Sequence, residues 1–254
     1  MCRFRLTKYE RIILSVLIAA ALYAIINQLD NSQYIAVNGE IGRRNEPVYI
    51  LDPGHGGEDG GAVSPDGLVE SGINLDIALR MRELCGFFGI KTVMTREGEE
   101  LSYPENLSRT AERKRWDTRR RTELINSIEN GVLLSIHQNN FPSGHARGPQ
   151  AFYGKSPEAK ALAEIIHSNL IAALHPDSRR VAAPAPKEVY IMSNANCPAI
   201  LVECAFLSDP EDCSLLRTDA HKKKIAAILM ASCLQFKEAK HEGQDDILLH
   251  GVRQ

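Results

Sequence analysis

The 254-residue chain has almost no charge excess: 30 Lys and Arg stand against 32 Asp and Glu, a formal net charge of -2. That balance gives no long-range pull toward nucleic acid or an anionic membrane surface, so any electrostatic targeting must come from local patches. Its six cysteines, at positions 2, 85, 197, 204, 213 and 233, fall in no CxxC or other metal-ligand spacing, which argues against a sulfur-ligated metal. Most of the last five are expected to be free and buried, acting as small hydrophobes. Internal repeats and low-complexity tracts are also missing. The glycine-rich stretch Gly54 to Gly61 lacks the Gly-Lys-Ser/Thr ending of a phosphate loop, and its Glu58 and Asp59 would repel phosphate. With 44% hydrophobic and 24% charged residues, the chain can bury a sizeable core.

The N-terminus departs from this even composition. Arg3, Arg5, Lys8 and Arg11 precede an unbroken apolar or small run from Ile12 to Ile26. A basic flank before such a run reads as a targeting or anchoring segment. As a helix it would reach about 22 Å, short of the ~30 Å hydrocarbon core, with Asn27 and Gln28 at the far interface. Small residues 19–21 lie inside the run and no clear cleavage site follows it, so an uncleaved signal anchor is favoured over a cleaved signal peptide. The basic flank would then stay inside and the remainder lie outside the cytoplasm. Four regions result: an anchor or signal segment over 1–30, a polar linker over 31–46, one catalytic domain over 47–240, and a charged, loosely held tail over 241–254.

Within 47–240, strand-like and helix-like segments alternate. Residues 48–51, 91–95, 132–136, 150–153, 188–192 and 199–202 read as strands. Apolar residues at helical spacing mark helices from Ile73 to Phe88 and around Ile225 to Phe236, and two further helices are expected over 108–128 and 157–173. This alternation predicts an α/β fold with a central, mostly parallel sheet of about six strands flanked by helices.

Three of the strands run into polar residues with no structural reason to be there. They give Asp52-Pro53-Gly54-His55, His137-Gln138-Asn139, and Glu203. Ligands gather beyond the carboxyl ends of strands in open α/β sheets, so His55, His137 and Glu203 are expected to converge. Glu70, at the start of the first helix, is a fourth candidate. Two imidazoles and a carboxylate make a suitable shell for catalytic Zn²⁺ with one position left for water. A second carboxylate is then needed to move the proton. Each residue alone has an ordinary structural explanation; their joint placement carries the argument.

The segments 51–57 (Leu-Asp-Pro-Gly-His-Gly-Gly), 69–75 (Val-Glu-Ser-Gly-Ile-Asn-Leu), 135–139 (Ser-Ile-His-Gln-Asn) and 198–209 (Pro-Ala-Ile-Leu-Val-Glu-Cys-Ala-Phe-Leu-Ser-Asp) resemble the ordered motifs of the zinc N-acetylmuramoyl-L-alanine amidases. The resemblance spans about 48–238. It implies one zinc ion held by His55, Glu70 and His137, with Glu203 as catalytic acid/base. The bond implied is the amide between the lactyl group of N-acetylmuramic acid and L-alanine in peptidoglycan. Met94 to Gly98 and Arg119 to Asn126 resemble the germination-specific amidases of spore-forming bacteria. That likeness implies a short, membrane-tethered enzyme acting on spore-cortex glycan, a step toward muramic δ-lactam. Two other readings stay open at this level: a zinc peptidase acting inside the stem peptide, and a non-catalytic wall-binding module. An accessory protein is not identifiable from the sequence.

Cys204 adjoins Glu203 on a strand and is expected to face away from it. The cationic run 109–121 is read mainly as a solvated helix face with i,i+4 pairs, and Trp116, the single tryptophan, as a hydrophobic anchor within it.

Overall fold

The computed structural model describes residues 46–141 and 146–251, with side chains described up to residue 239. The anchor expected over 1–30, and all of the linker expected over 31–46 except Glu46, lie outside these residues. Among the described residues, no helix is long and apolar enough to cross a membrane.

The chain enters the sheet at β1 (Val48–Pro53), and α1 (Glu70–Phe87) returns it to β2 (Thr92–Met94). Helix α2 (Thr110–Ser127) leads to the long central strand β3 (Gly131–Asn139). Then follow β4 (Gln150–Tyr153), α3 (Pro157–Leu174), β5 (Ala183–Pro184), α4 (Tyr190–Asn194) and β6 (Ala199–Phe206). Two helices close the fold, α5 (Pro210–Leu216) and α6 (Asp219–Gly251). The strand order is β2-β1-β3-β6-β4-β5. Strands β2, β1, β3 and β6 are parallel, β4 pairs antiparallel with β6, and β5 pairs parallel with β4. The sheet is therefore mixed but mostly parallel.

Near-continuous apolar runs in β1, β3 and β6 suit strands covered on both faces. One face carries the larger core, where Leu51, Leu134, Ile136 and Val202 meet Ile77 and Met81 of α1, Leu162 and Ile166 of α3, and Ile225 and Leu229 of α6. The other face carries a smaller cluster of Ile50, Leu133 and Leu201 under Ile125 of α2 and Met192 of α4. Helix α3 begins on Ser156, whose hydroxyl accepts from the Ala159 N–H, with Pro157 in the first turn. The five described cysteines are all free, and only Cys197 is not fully buried. Cys204 lies in the larger core, on the face opposite Glu203.

One expectation needs correction. Residues 188–192 do not form a strand: Tyr190–Asn194 is a short helix, and the sixth strand is Ala183–Pro184. A five-residue segment with four apolar positions is too short for its period to separate helix from strand, and Met192 is seated in the smaller core. Helix α6 runs on to Gly251, through residues 241–251 of the segment expected as a charged tail. No proline interrupts that stretch, so nothing in the backbone chemistry stops the helix.

Candidate active site

Because β1, β3 and β6 are parallel, their carboxyl ends lie at one end of the sheet, and the chemistry collects there. His137 and Glu203 are direct register partners on β3 and β6, so their side chains share a face. His55 follows β1 by two residues, and Glu70 is the first residue of α1. The structure brings all four expected residues together.

Glu70 is the hub. Its Oε2 is 3.2 Å from His55 Nε2, and its Oε1 is 3.0 Å from His137 Nδ1. The Ala62 N–H donates to Oε2 at 2.8 Å, while the Gln138 N–H and the Asn74 side-chain amide each donate to Oε1 at 3.1 Å. Burial alone would raise this carboxyl, but the two imidazoles outweigh it and hold Glu70 well below the usual carboxylate range. Ligand atoms of His55, Glu70 and His137 all lie within 4.8 Å of one another.

Two glycines make this convergence possible. A Cβ on Gly54 would overlap the His137 ring, and one on Gly61 would overlap both Glu70 Oε2 and the His55 ring. His55 itself sits at φ 62°, a left-handed conformation uncommon for a residue with a side chain. Its Nδ1 is 2.9 Å from Asp59 Oδ2, which fixes one side of the ring and leaves Nε2 turned toward Glu70. Burial lowers the His55 imidazole, yet the carboxylates of Asp59 and Glu70 more than offset this and lift it to about 9.

Sequence reasoning passed over the groups that hold this loop in place. Arg96 donates to the carbonyls of Pro53 (2.9 Å), Gly54 (3.0 Å) and Ser71 (2.8 Å). Arg121 donates to the carbonyls of Pro53 (2.7 Å) and His55 (2.6 Å) and is ion-paired with Asp52 and Asp117. Both arginines are buried. The signal was present in the segments 94–98 and 119–126, although nothing in their spacing assigned a role. Gln138, which also reaches Asn74 with its side chain at 3.1 Å, shows why a polar residue follows His137. The remaining cations of 109–121 are divided. Arg113 and Lys114 pair with Glu58 and Asp59 on the rim of the loop, while Arg109, Arg115, Arg119 and Arg120 are exposed. Trp116 is half-buried against Tyr103 in an edge-to-face contact.

Glu203 differs from Glu70 in having no strong partner. Its Oε2 is buried and makes no hydrogen bond among the described residues. Burial, assisted by the negative charge of Glu70, pushes it up to about 7, against the opposing pull of His137 and His55. One carboxylate held ionised and a second poised near neutrality, in one site, is the division of labour that acid/base hydrolysis requires.

The donor set fits a divalent metal: two imidazoles and an ionised carboxylate aimed at one another, with the outer nitrogen of His55 held by Asp59. Fold and site together describe a hydrolytic enzyme of α/β architecture whose reactive groups stand at the strand ends. Residues 50–233 match Amidase_3, the N-acetylmuramoyl-L-alanine amidase family, and the chain belongs to it. It is 36% identical over 190 residues to the germination-specific N-acetylmuramoyl-L-alanine amidase of Bacillus subtilis (strain 168), spanning 74% of this chain and 79% of that one. It is 32% identical over 185 residues to the amidase LytC of the same organism, spanning 71% of this chain and 33% of LytC. Among solved structures it is similar to the CwlD amidase of Clostridioides difficile in complex with the GerS lipoprotein. The TM-score is 0.73 at 31% identity, over 76% of this chain and 100% of that one. The protein is an enzyme, an amidase of peptidoglycan, and the reading as a non-catalytic wall-binding module falls.

Proposed function

We propose that the enzyme is zinc-dependent and that it cleaves the lactyl–L-alanine amide with His55, Glu70 and His137 as metal ligands and Glu203 as the proton carrier. The observation that carries this reading is the pairing of a three-residue donor cluster within 4.8 Å with an unpartnered buried carboxylate oxygen opposite His137. Bound zinc supplies a water activated near neutral pH and a Lewis acid for the amide carbonyl.

The chain's own residues do the rest. Glu70 stays ionised through five donors or imidazole contacts, so its charge is available to a cation at neutral pH. Asp59 holds the His55 ring by Nδ1. Arg96 and Arg121 fix the backbone from which His55 projects. The Glu203 carboxylate takes a proton from the attacking water and returns it to the departing alanine nitrogen, a two-way transfer suited to a carboxyl poised near neutrality.

The biological setting follows from the likeness to the germination-specific amidase: removal of stem peptides from spore-cortex glycan outside the cytoplasm. Residues 1–30 would tether the enzyme to the membrane, 31–46 would link it to the catalytic domain, and an accessory lipoprotein is in keeping with the partner in the similar CwlD structure. The test is to incubate the full chain with purified sacculi and with cortex peptidoglycan, with and without a chelator, and to identify products by mass. Stem peptides with a free L-alanine amine, lost with chelator and restored by zinc, are expected. Fragments cut inside the stem peptide would overturn the bond assignment, and cleavage that survives chelation would overturn the metal.

A further inference from the structure

A cavity of about 420 Å³ opens beside Glu203, lined by Asn139, Phe141, Gln150, Phe152, Arg180 and Phe206 among others. Its position is set by the sheet. Gln150 on β4 is the register partner of Glu203, and Phe206 on β6 is the partner of Asn139, two residues beyond His137. The cavity thus adjoins the strand positions of the proposed proton carrier and of His137, on the side of β4 and β5. Among the described residues, no acidic one lines it.

Arg180 is the charged group in this wall, and it is held unlike the ion-paired arginines. Arg80, Arg82, Arg113, Arg121, Arg147 and Arg217 each pair with a carboxylate. Arg180 has no carboxylate partner among the described residues. Its guanidinium lies over the Phe206 ring at 5.1 Å, and one nitrogen reaches the Gly148 carbonyl at 3.3 Å. Stacking and a single long hydrogen bond orient the planar fork while leaving most of its five donors for a ligand. The loop that carries it is tied down, since the Gln150 side chain donates to the Val181 carbonyl at 2.8 Å.

We propose that this cavity is a subsite for the stem peptide and that Arg180 binds the free carboxylate of the residue following the alanine. The proposal rests on the amidase reading above and names what that site selects. Two extended residues span at most about 7 Å, about two strand positions, the offset by which Asn139 in the cavity wall lies beyond His137. The aromatic walls of Phe152 and Phe206 receive the peptide's aliphatic atoms, and the guanidinium pairs with its acid. In peptidoglycan that second residue is a glutamate whose carboxyl is free in some walls and amidated in others. Arg180 is therefore a specificity-determining residue.

The test compares two defined muramoyl peptides, one with the free carboxylate and one with the carboxamide, cleaved by the full-length zinc-loaded enzyme. Wild type should prefer the free acid in kcat/KM by roughly 10- to 100-fold, the range of a charge-assisted hydrogen bond. Arg180→Gln should bring the ratio close to one, and Arg180→Lys should keep part of it, which separates lost recognition from lost folding. Equal cleavage of both substrates by wild type, or an unchanged ratio in Arg180→Gln, overturns the subsite. Calorimetric binding of the released peptides to Glu203→Gln keeps the two readings apart. Preferential binding of the free-acid peptide without cleavage by wild type removes the cleaved-bond assignment and leaves the subsite; cleavage without preference does the reverse.

Discussion

Arg121 donates to the backbone carbonyl of His55 at 2.6 Å from a helix sixty-six positions away in sequence. The same guanidinium meets Asp52, Asp117 and the Pro53 carbonyl. It therefore links the end of β1, the strained His55 peptide and helix α2 in one buried contact. A left-handed backbone at a residue with a side chain costs on the order of 1–3 kcal/mol and persists only where its surroundings impose it.

Arg121→Ala removes that constraint and leaves Asp52 buried without its cation. Loss of one partner from a buried pair costs about 3–5 kcal/mol. The variant should unfold at lower denaturant concentration and retain less zinc after dialysis. A variant with wild-type stability and zinc content would refute the bracing role.

Asp52 makes this contact pH-dependent. Burial would raise its pKa, but Arg121 and the hydroxyls of Thr95 and Ser135 outweigh that and hold it below the ordinary value. A depressed folded-state pKa gives stability that is present above the unfolded value of about 4 and lost as pH falls through the folded one. Asp52→Asn should therefore be less stable than wild type by about 3 kcal/mol at pH 7, and the gap should narrow in acid below about pH 4. Urea unfolding at both pH values measures it. A gap that stays constant would show that the Asp52 charge does not supply the stability.

The strand-end motifs were legible because each interrupts an apolar run with residues that a buried strand does not need. His55, His137 and Glu203 could thus be grouped, and Glu70 added at the following helix start. Arg121 was not legible. It belongs to a run of cations whose spacing suits a solvated helix, and which of them turns inward depends on where Asp52 lies in three dimensions. Strand β5 was hidden for another reason. It is an Ala-Pro pair, of low strand propensity, held by its pairing with β4 at the sheet edge.

Glu203→Gln tests the division between the two carboxylates. The amide is nearly isosteric and cannot carry the proton, so kcat should fall by about 10²–10⁴-fold, the range of general acid–base catalysis. Zinc content should stay at the wild-type level, since Glu203 lies outside the cluster that can hold the ion. Glu70→Gln should instead lose zinc. Elemental analysis beside sacculus digestion separates the two, and equal zinc loss in both variants would overturn the assignment.

The final prediction concerns Gly54, where the requirement is room rather than a special backbone angle. A Cβ there would overlap the His137 ring. The residue directly follows β1, and its N–H donates to the carbonyl of the buried Ile136 on β3 at 2.9 Å, so the backbone has little freedom to withdraw. The imidazole must move instead, away from Glu70 Oε1, which it meets at 3.0 Å. Gly54→Ala should therefore fold with a modest loss of stability, about 1–3 kcal/mol for an overpacked site, while zinc affinity and turnover fall together. Gly67→Ala is the matched comparison, because a Cβ there meets nothing within 4 Å although φ is +86°. It should lose stability through backbone strain and keep its zinc. If Gly54→Ala binds zinc as wild type does, the His137 ring has another place to stand and is not fixed by the close approach of β1.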